Sequence, residues 1–97
     1  MPAYCFFNVL EVTDPARMEE YRTQVFATVR AHGGCYRVIG GPAHNKEGSW
    51  RPTFPVLIEF PDLAAAEAWY QSPEYMPLRD LRLSATRSEA VFMETPG

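Results

Sequence analysis

An α+β domain of order βαββαβ, built as half of a dimer, is the fold this chain predicts. Three observations carry it. The run from Phe60 to Tyr75 ends a strand, caps a short helix at Asp62 and opens a second helical start at Ser72-Pro73-Glu74. Gly33-Gly34 and Gly40-Gly41 bracket a short second strand. Apolar side chains alternate along 3–11 and 53–60 but recur at helical spacing between Asp14 and His32, so the period switches with each element.

Residues 3–11 read as a strand of aromatic and β-branched character, stopped by Val12-Thr13-Asp14-Pro15. Asp14 is an N-cap and Pro15 takes the first helical position, where its missing N–H costs nothing. The helix runs to about His32, with Met18, Tyr21, Val25 and Val29 as one apolar stripe. Gly33 supplies the left-handed stop. Residues 35–40 form the second strand, 42–52 a long polar hairpin loop and 53–60 the third strand. Asp62 caps a helix over 63–71, and Pro77 must interrupt or restart the next segment. Residues 87–94 are the last strand, before a loose Thr95-Pro96-Gly97 tail. Right-handed crossovers then give a four-stranded antiparallel sheet of order 4-1-3-2 with the helices on one face. The whole chain, 1–97, is one domain.

Composition excludes several function classes. The net charge is −3 and Lys46 is the single lysine among nine basic residues, with no basic run to track a phosphate backbone. No nucleic-acid partner is expected. No apolar run approaches a membrane span and the first residues lack a signal-peptide layout, so a cytoplasmic location is the default. The Ser-His-Asp order, phosphate-cradling loop and dinucleotide fingerprint are all missing. Two cysteines and two histidines, at spacings that suit no metal motif, predict no metal site and no cofactor. His32 is read as a helix C-cap and His44 as solvated.

Strand alternation divides the sheet. Cys5, Phe7 and Val9, with Phe54, Val56, Ile58 and Phe60, point to the helices. The other face carries Tyr4, Phe6, Asn8 and Leu10, then Cys35, Arg37 and Ile39, then Leu57 and Glu59. Exposing each of its large apolar side chains would forfeit roughly 1.5–3 kcal/mol. A second copy of the chain is the simplest cover. Inside the closed dimeric barrel so formed, Asn8, Arg37 and Glu59 cluster beside Tyr4, Phe6 and Leu57. Two readings of the cluster follow. In one, Arg37 holds the anion of a small, partly apolar acid or phenol, Glu59 moves a proton and Asn8 orients the ligand, between apolar walls of Tyr4, Phe6 and Leu57. In the other, Arg37 and Glu59 form a structural ion pair in a non-catalytic dimer interface. Trp50 and Arg51, on the long loop, are the gate candidates. Arg79, Arg82 and Arg87 read as surface residues pairing with Asp80 and Glu89. Cys5 and Cys35 fall on opposite faces and should stay free.

Val12-Thr13-Asp14-Pro15, His32-Gly33-Gly34-Cys35-Tyr36 through Gly40-Gly41, Glu59-Phe60-Pro61 and Ala68-Trp69-Tyr70-Gln71-Ser72-Pro73-Glu74-Tyr75 resemble the domain of unknown function 1330 family over nearly the whole chain. The resemblance implies a ferredoxin-like dimeric α/β barrel, a fold shared with cofactor-free monooxygenases and muconolactone isomerase. Haem- or metal-dependent chemistry, as in some relatives of the fold, is the third alternative. The family pattern usually has arginine directly after the first Gly-Gly. Here that place holds Cys35, and the charge stands two residues on at Arg37.

Overall fold

The computed structural model describes residues 1–96. Its elements are β1 (Ala3–Val12), α1 (Pro15–Ala31), β2 (Cys35–Ile39), β3 (Pro55–Phe60), α2 (Leu63–Tyr70), α3 (Met76–Ala85) and β4 (Thr86–Glu94). The sheet is four-stranded in the order β2-β3-β1-β4, and every pairing is antiparallel. This is the predicted order, read from the opposite edge.

Local chemistry sets the helix ends. The Asp14 carboxylate accepts from the Arg17 N–H at 3.1 Å and Asp62 accepts from the Ala65 N–H at 2.8 Å. Gly33 closes α1 with φ of 81°, and the Gly34 N–H returns to the Val29 carbonyl at 2.9 Å. Gly34 is required for space: a Cβ there would lie 2.6 Å from Val29 and 2.7 Å from Phe60, both locked in the core. We expect Gly34→Ala to lower stability by about 1–3 kcal/mol, read as a shift in thermal midpoint. At Ser72 the hydroxyl accepts from the Tyr75 N–H at 3.1 Å and closes a turn. α3 begins after that turn, with Pro77 in its first turn. Thr95 donates its N–H to the Pro2 carbonyl at 3.1 Å, so the tail is tied to the first strand rather than loose as far as Thr95; Gly97 lies outside the described residues.

The core centres on Trp69, fully buried among Phe7, Phe60, Tyr75 and Phe92, with its indole N–H donated to the Thr28 hydroxyl at 3.1 Å. Cys5, Phe7, Val9, Ile58 and Phe60 reach it from the sheet, as alternation predicts. Phe54 does not. It lies outside β3 and is half-exposed. A second correction comes from a register shift between Tyr36 and Val38, which makes Arg37 the inserted residue of a bulge. Beyond it the alternation inverts, so Ile39 pairs with Val56 on the helix side instead of joining the open face. A similar shift between Val9 and Glu11 takes Leu10 out of the simple alternation.

Candidate functional site

The helices cover the sheet unevenly. α2 packs on β1, β3 and β4, whereas the backbone of α1 lies chiefly against α3 and meets the strands through side chains such as Phe26, its ring centroid 4.7 Å from that of Tyr36. The space left between α1 and the sheet is a cleft of about 370 Å³. Its walls are mostly apolar: Phe7 and Val9 from β1, Met18, Val25 and Phe26 from α1, and Val56 and Ile58 from β3. Tyr36 and Ile39 close the β2 side, the latter brought there by the bulge.

Arg82 breaks this apolar lining. It stands on the buried stripe of α3 with Leu78 and Ala85, and is only 4% exposed. Its guanidinium lies over the Phe7 ring, 5.2 Å from the centroid, and Nη1 donates to the Ser88 hydroxyl oxygen at 2.7 Å. Nε is buried without a partner, and among the described residues no carboxylate lies within ion-pair distance. Burial works against its charge, but the phenols of Tyr75 and Tyr21 outweigh burial and raise its pKa. Those phenols pair at 3.0 Å between their oxygens. Burial first, and then Tyr75, push the Tyr21 phenol well above its ordinary range, so it stays protonated. Ser88 accepts from Arg82 and lies 3.2 Å from the Thr86 hydroxyl, which itself donates to the Arg82 carbonyl at 2.8 Å. The cleft therefore offers one buried cation, Arg82, inside apolar walls, with a second, Arg22, exposed at the rim and paired with Glu19 at 3.5 Å. The cleft's carboxylate, Glu11, is exposed at the rim and paired with Arg87 at 3.7 Å.

None of the residues proposed from the sequence lines this cleft. Arg37 and Glu59 meet on the open face, Nε to Oε1 at 3.1 Å, with both side chains reaching solvent. The hydrogen bond to Glu59 is the largest of the effects that raise the Arg37 pKa. Asn8 is 2% exposed, and its Oδ1 accepts from the N–H groups of Thr53 and Phe54, each at 3.0 Å. Its acceptor is thus committed to pinning the end of the long loop. Tyr4, Phe6 and Leu57 lie half-buried on the open face. Trp50 folds back onto Phe6, their ring centroids 5.4 Å apart, and remains 62% exposed beside an exposed Arg51. β4 adds Val91 opposite Phe6 and Met93 opposite Tyr4, both more than half exposed.

Burial corrects the surface position that the sequence suggests for Arg82. The signal was present: it stands four residues after Leu78 and three before Ala85, on the apolar stripe. Arg87 pairs with Glu11, which faces it across β1 and β4, rather than with Glu89. Arg79 does reach Asp80, at 3.6 Å. His32 caps α1 and its Nδ1 lies 3.0 Å from the Thr28 carbonyl. Cys5 is buried, Cys35 is exposed and both are free. Among the described residues no group of His, Cys, Asp and Glu side chains converges to hold a metal ion, and no helix is long and apolar enough to cross a membrane.

The model of a family described as Domain of unknown function (DUF1330) matches residues 2–96. The chain belongs to this family. No curated protein matches it. Among solved structures, this DUF1330 protein is similar to RPA0582, a protein of unknown function from Rhodopseudomonas palustris. They share 15% identity and a TM-score of 0.74, over 99% of this chain and 83% of that one. It is also similar to a dimeric ferredoxin-like protein of unknown function from Jannaschia sp. CCS1, at 19% identity and TM-score 0.66, over 98% and 100% of the two chains. SnoaB from Streptomyces nogalater, a cofactor-independent oxygenase, matches at 15% identity and TM-score 0.60, over 99% and 92%. At these identities the likeness establishes the ferredoxin-like fold, which the DUF1330 match accompanies.

Proposed function

We propose that this protein binds a small, partly apolar acid or phenol as its anion in the cleft between α1 and the sheet. One observation carries the reading: Arg82 is buried at the wall of an apolar cleft with no carboxylate to neutralise it. A buried cation without a counter-charge is costly, and a bound anion would offset that cost. In this reading Arg82 takes the anion-holding part that the sequence suggests for Arg37, with the hydroxyls of Ser88 and the protonated Tyr21 lining the same cleft. Binding is favoured over general-base catalysis, because Tyr21 is too weak an acid to exist as a base near neutral pH and Glu11 is engaged at the rim. Cofactor-free transformation of the bound acid is an extension of this reading, supported by the shared fold with SnoaB.

The companion proposal is a homodimer closed over the open face of the sheet. Half-buried Tyr4, Phe6 and Leu57 and exposed Val91 and Met93 form an apolar surface there, and the fold neighbour from Jannaschia sp. CCS1 is dimeric. The Arg37–Glu59 bond of 3.1 Å favours an interface role for that pair, since each already has its partner before any ligand enters. Native mass spectrometry, with a mixture of small aromatic carboxylates and their neutral amides, tests both parts. A dimer retaining carboxylates and shedding amides is expected. A monomer overturns the interface, and equal retention of amides overturns the anion site.

A further inference from the structure

We propose that Phe54, seated on Gly40, is the gate that sets how large a ring system the cleft admits. The inference rests on the cleft being a ligand site. It concerns a different residue from the cation that binds the anion.

Phe54 lines the cleft beside Ile39 and Val56, yet is 40% exposed, so its ring stands at the mouth between ligand space and water. The backbone beneath it is fixed. Its N–H is donated to Asn8 Oδ1 at 3.0 Å, and its carbonyl accepts from the Val9 N–H at 3.2 Å. The preceding Thr53 N–H is held by the same Asn8 oxygen at 3.0 Å. Pro55 follows and confines Phe54 to extended backbone. With the main chain held at both ends, only rotation of the side chain can move the ring.

The ring rests on a seat that only glycine provides. A Cβ at Gly40 would lie 2.5 Å from Phe54 Cε2 and 2.7 Å from Cζ, and Gly40 has φ of 68°. The Gly40 N–H is donated to the Pro55 carbonyl at 2.7 Å, so seat and hinge belong to one bonded unit. A half-exposed aromatic ring on a flat seat, above a fixed hinge, can swing without unfolding anything. Trp50, the gate expected from the sequence, packs on Phe6 and does not line the cleft.

Calorimetric titration of the full chain with benzoate and naphthalene-1-carboxylate tests the assignment. In Phe54→Ala the affinity ratio of the two-ring to the one-ring acid should rise about tenfold over the parent, and Phe54→Trp should lower it. The variants bracket the ring size at an exposed position, so folding is not at stake in both. A parent that binds either acid, with ratios within about twofold in both variants, overturns the gate and leaves the anion site standing. A parent that binds neither acid at millimolar concentration overturns both.

Discussion

Arg82→Met should yield a protein at least as stable as the parent that has lost most of its affinity for acids. The two effects have one cause. Arg82 is 4% exposed, has a buried Nε without a partner and meets no carboxylate. The fold therefore bears the desolvation of a charge that it meets with hydroxyl groups and the Phe7 ring but with no carboxylate. Methionine keeps the length and much of the packing against Phe7 while removing that charge. Replacing buried ionic groups by apolar side chains of similar volume is commonly neutral or stabilising by about 1–4 kcal/mol. The losses are the hydrogen bond to Ser88, whose hydroxyl still has Thr86 Oγ1 at 3.2 Å, and the contact with Phe7. Binding should move the other way, by roughly 30- to 1,000-fold for a carboxylate that loses a buried cationic partner. Chemical denaturation and a ligand titration on the same preparation check the pair of signs. A destabilised variant that still binds acids would mean Arg82 is a structural cation.

The second large effect is loss of stability in alkali. Cys5 is fully buried, and burial, with a smaller contribution from the Glu67 carboxylate, pushes its thiol from 9.0 up to about 12. Between those values the unfolded chain releases the proton and the folded chain keeps it. The unfolded state then binds fewer protons, so stability falls as pH rises through that window and is untouched below it. The thiol alone forfeits on the order of 4 kcal/mol by pH 12. Tyr21 and Tyr36, both raised first by burial and then by Tyr75, add to the loss from about pH 10 upward. Domains of this size hold about 5–15 kcal/mol in total, so unfolding before pH 12 is expected. Urea titrations at pH 8, 9, 10 and 11 follow it. Cys5→Ala should flatten the slope between pH 9 and 10, where the phenols contribute little. A denaturation midpoint unchanged from pH 8 to 11 would contradict the burial argument.

The sheet order, the helix caps and the core were legible in the sequence because each rests on short-range chemistry. Asp14 and Asp62 cap the helices they precede, Gly33 ends α1, and the alternation in β1 and β3 names the buried side chains. The candidate site was not legible, for three physical reasons. One inserted residue at Arg37 inverts Ile39, and a bulge leaves no mark on the hydrophobic pattern of so short a strand. Arg82 carries a charge on an apolar stripe, so residue type points to the surface while its spacing from Leu78 and Ala85 points to the core. The bond between Asn8 and Thr53 joins residues 45 apart, so no local pattern announces that Asn8 belongs to the loop. The cleft depends on α1 leaning on α3 instead of lying flat on the sheet, a matter of tertiary packing alone.

Ligand binding in the cleft turns on Arg82, a buried cation with no carboxylate partner. Paired isothermal titrations with naphthalene-1-carboxylate and its neutral carboxamide, against the parent chain and Arg82→Met, measure that directly. The parent should prefer the carboxylate, and the variant should lose the preference while retaining residual binding of the amide. Equal affinity of the parent for carboxylate and amide would contradict the account, since the two differ in the charge that Arg82 is held to recognise.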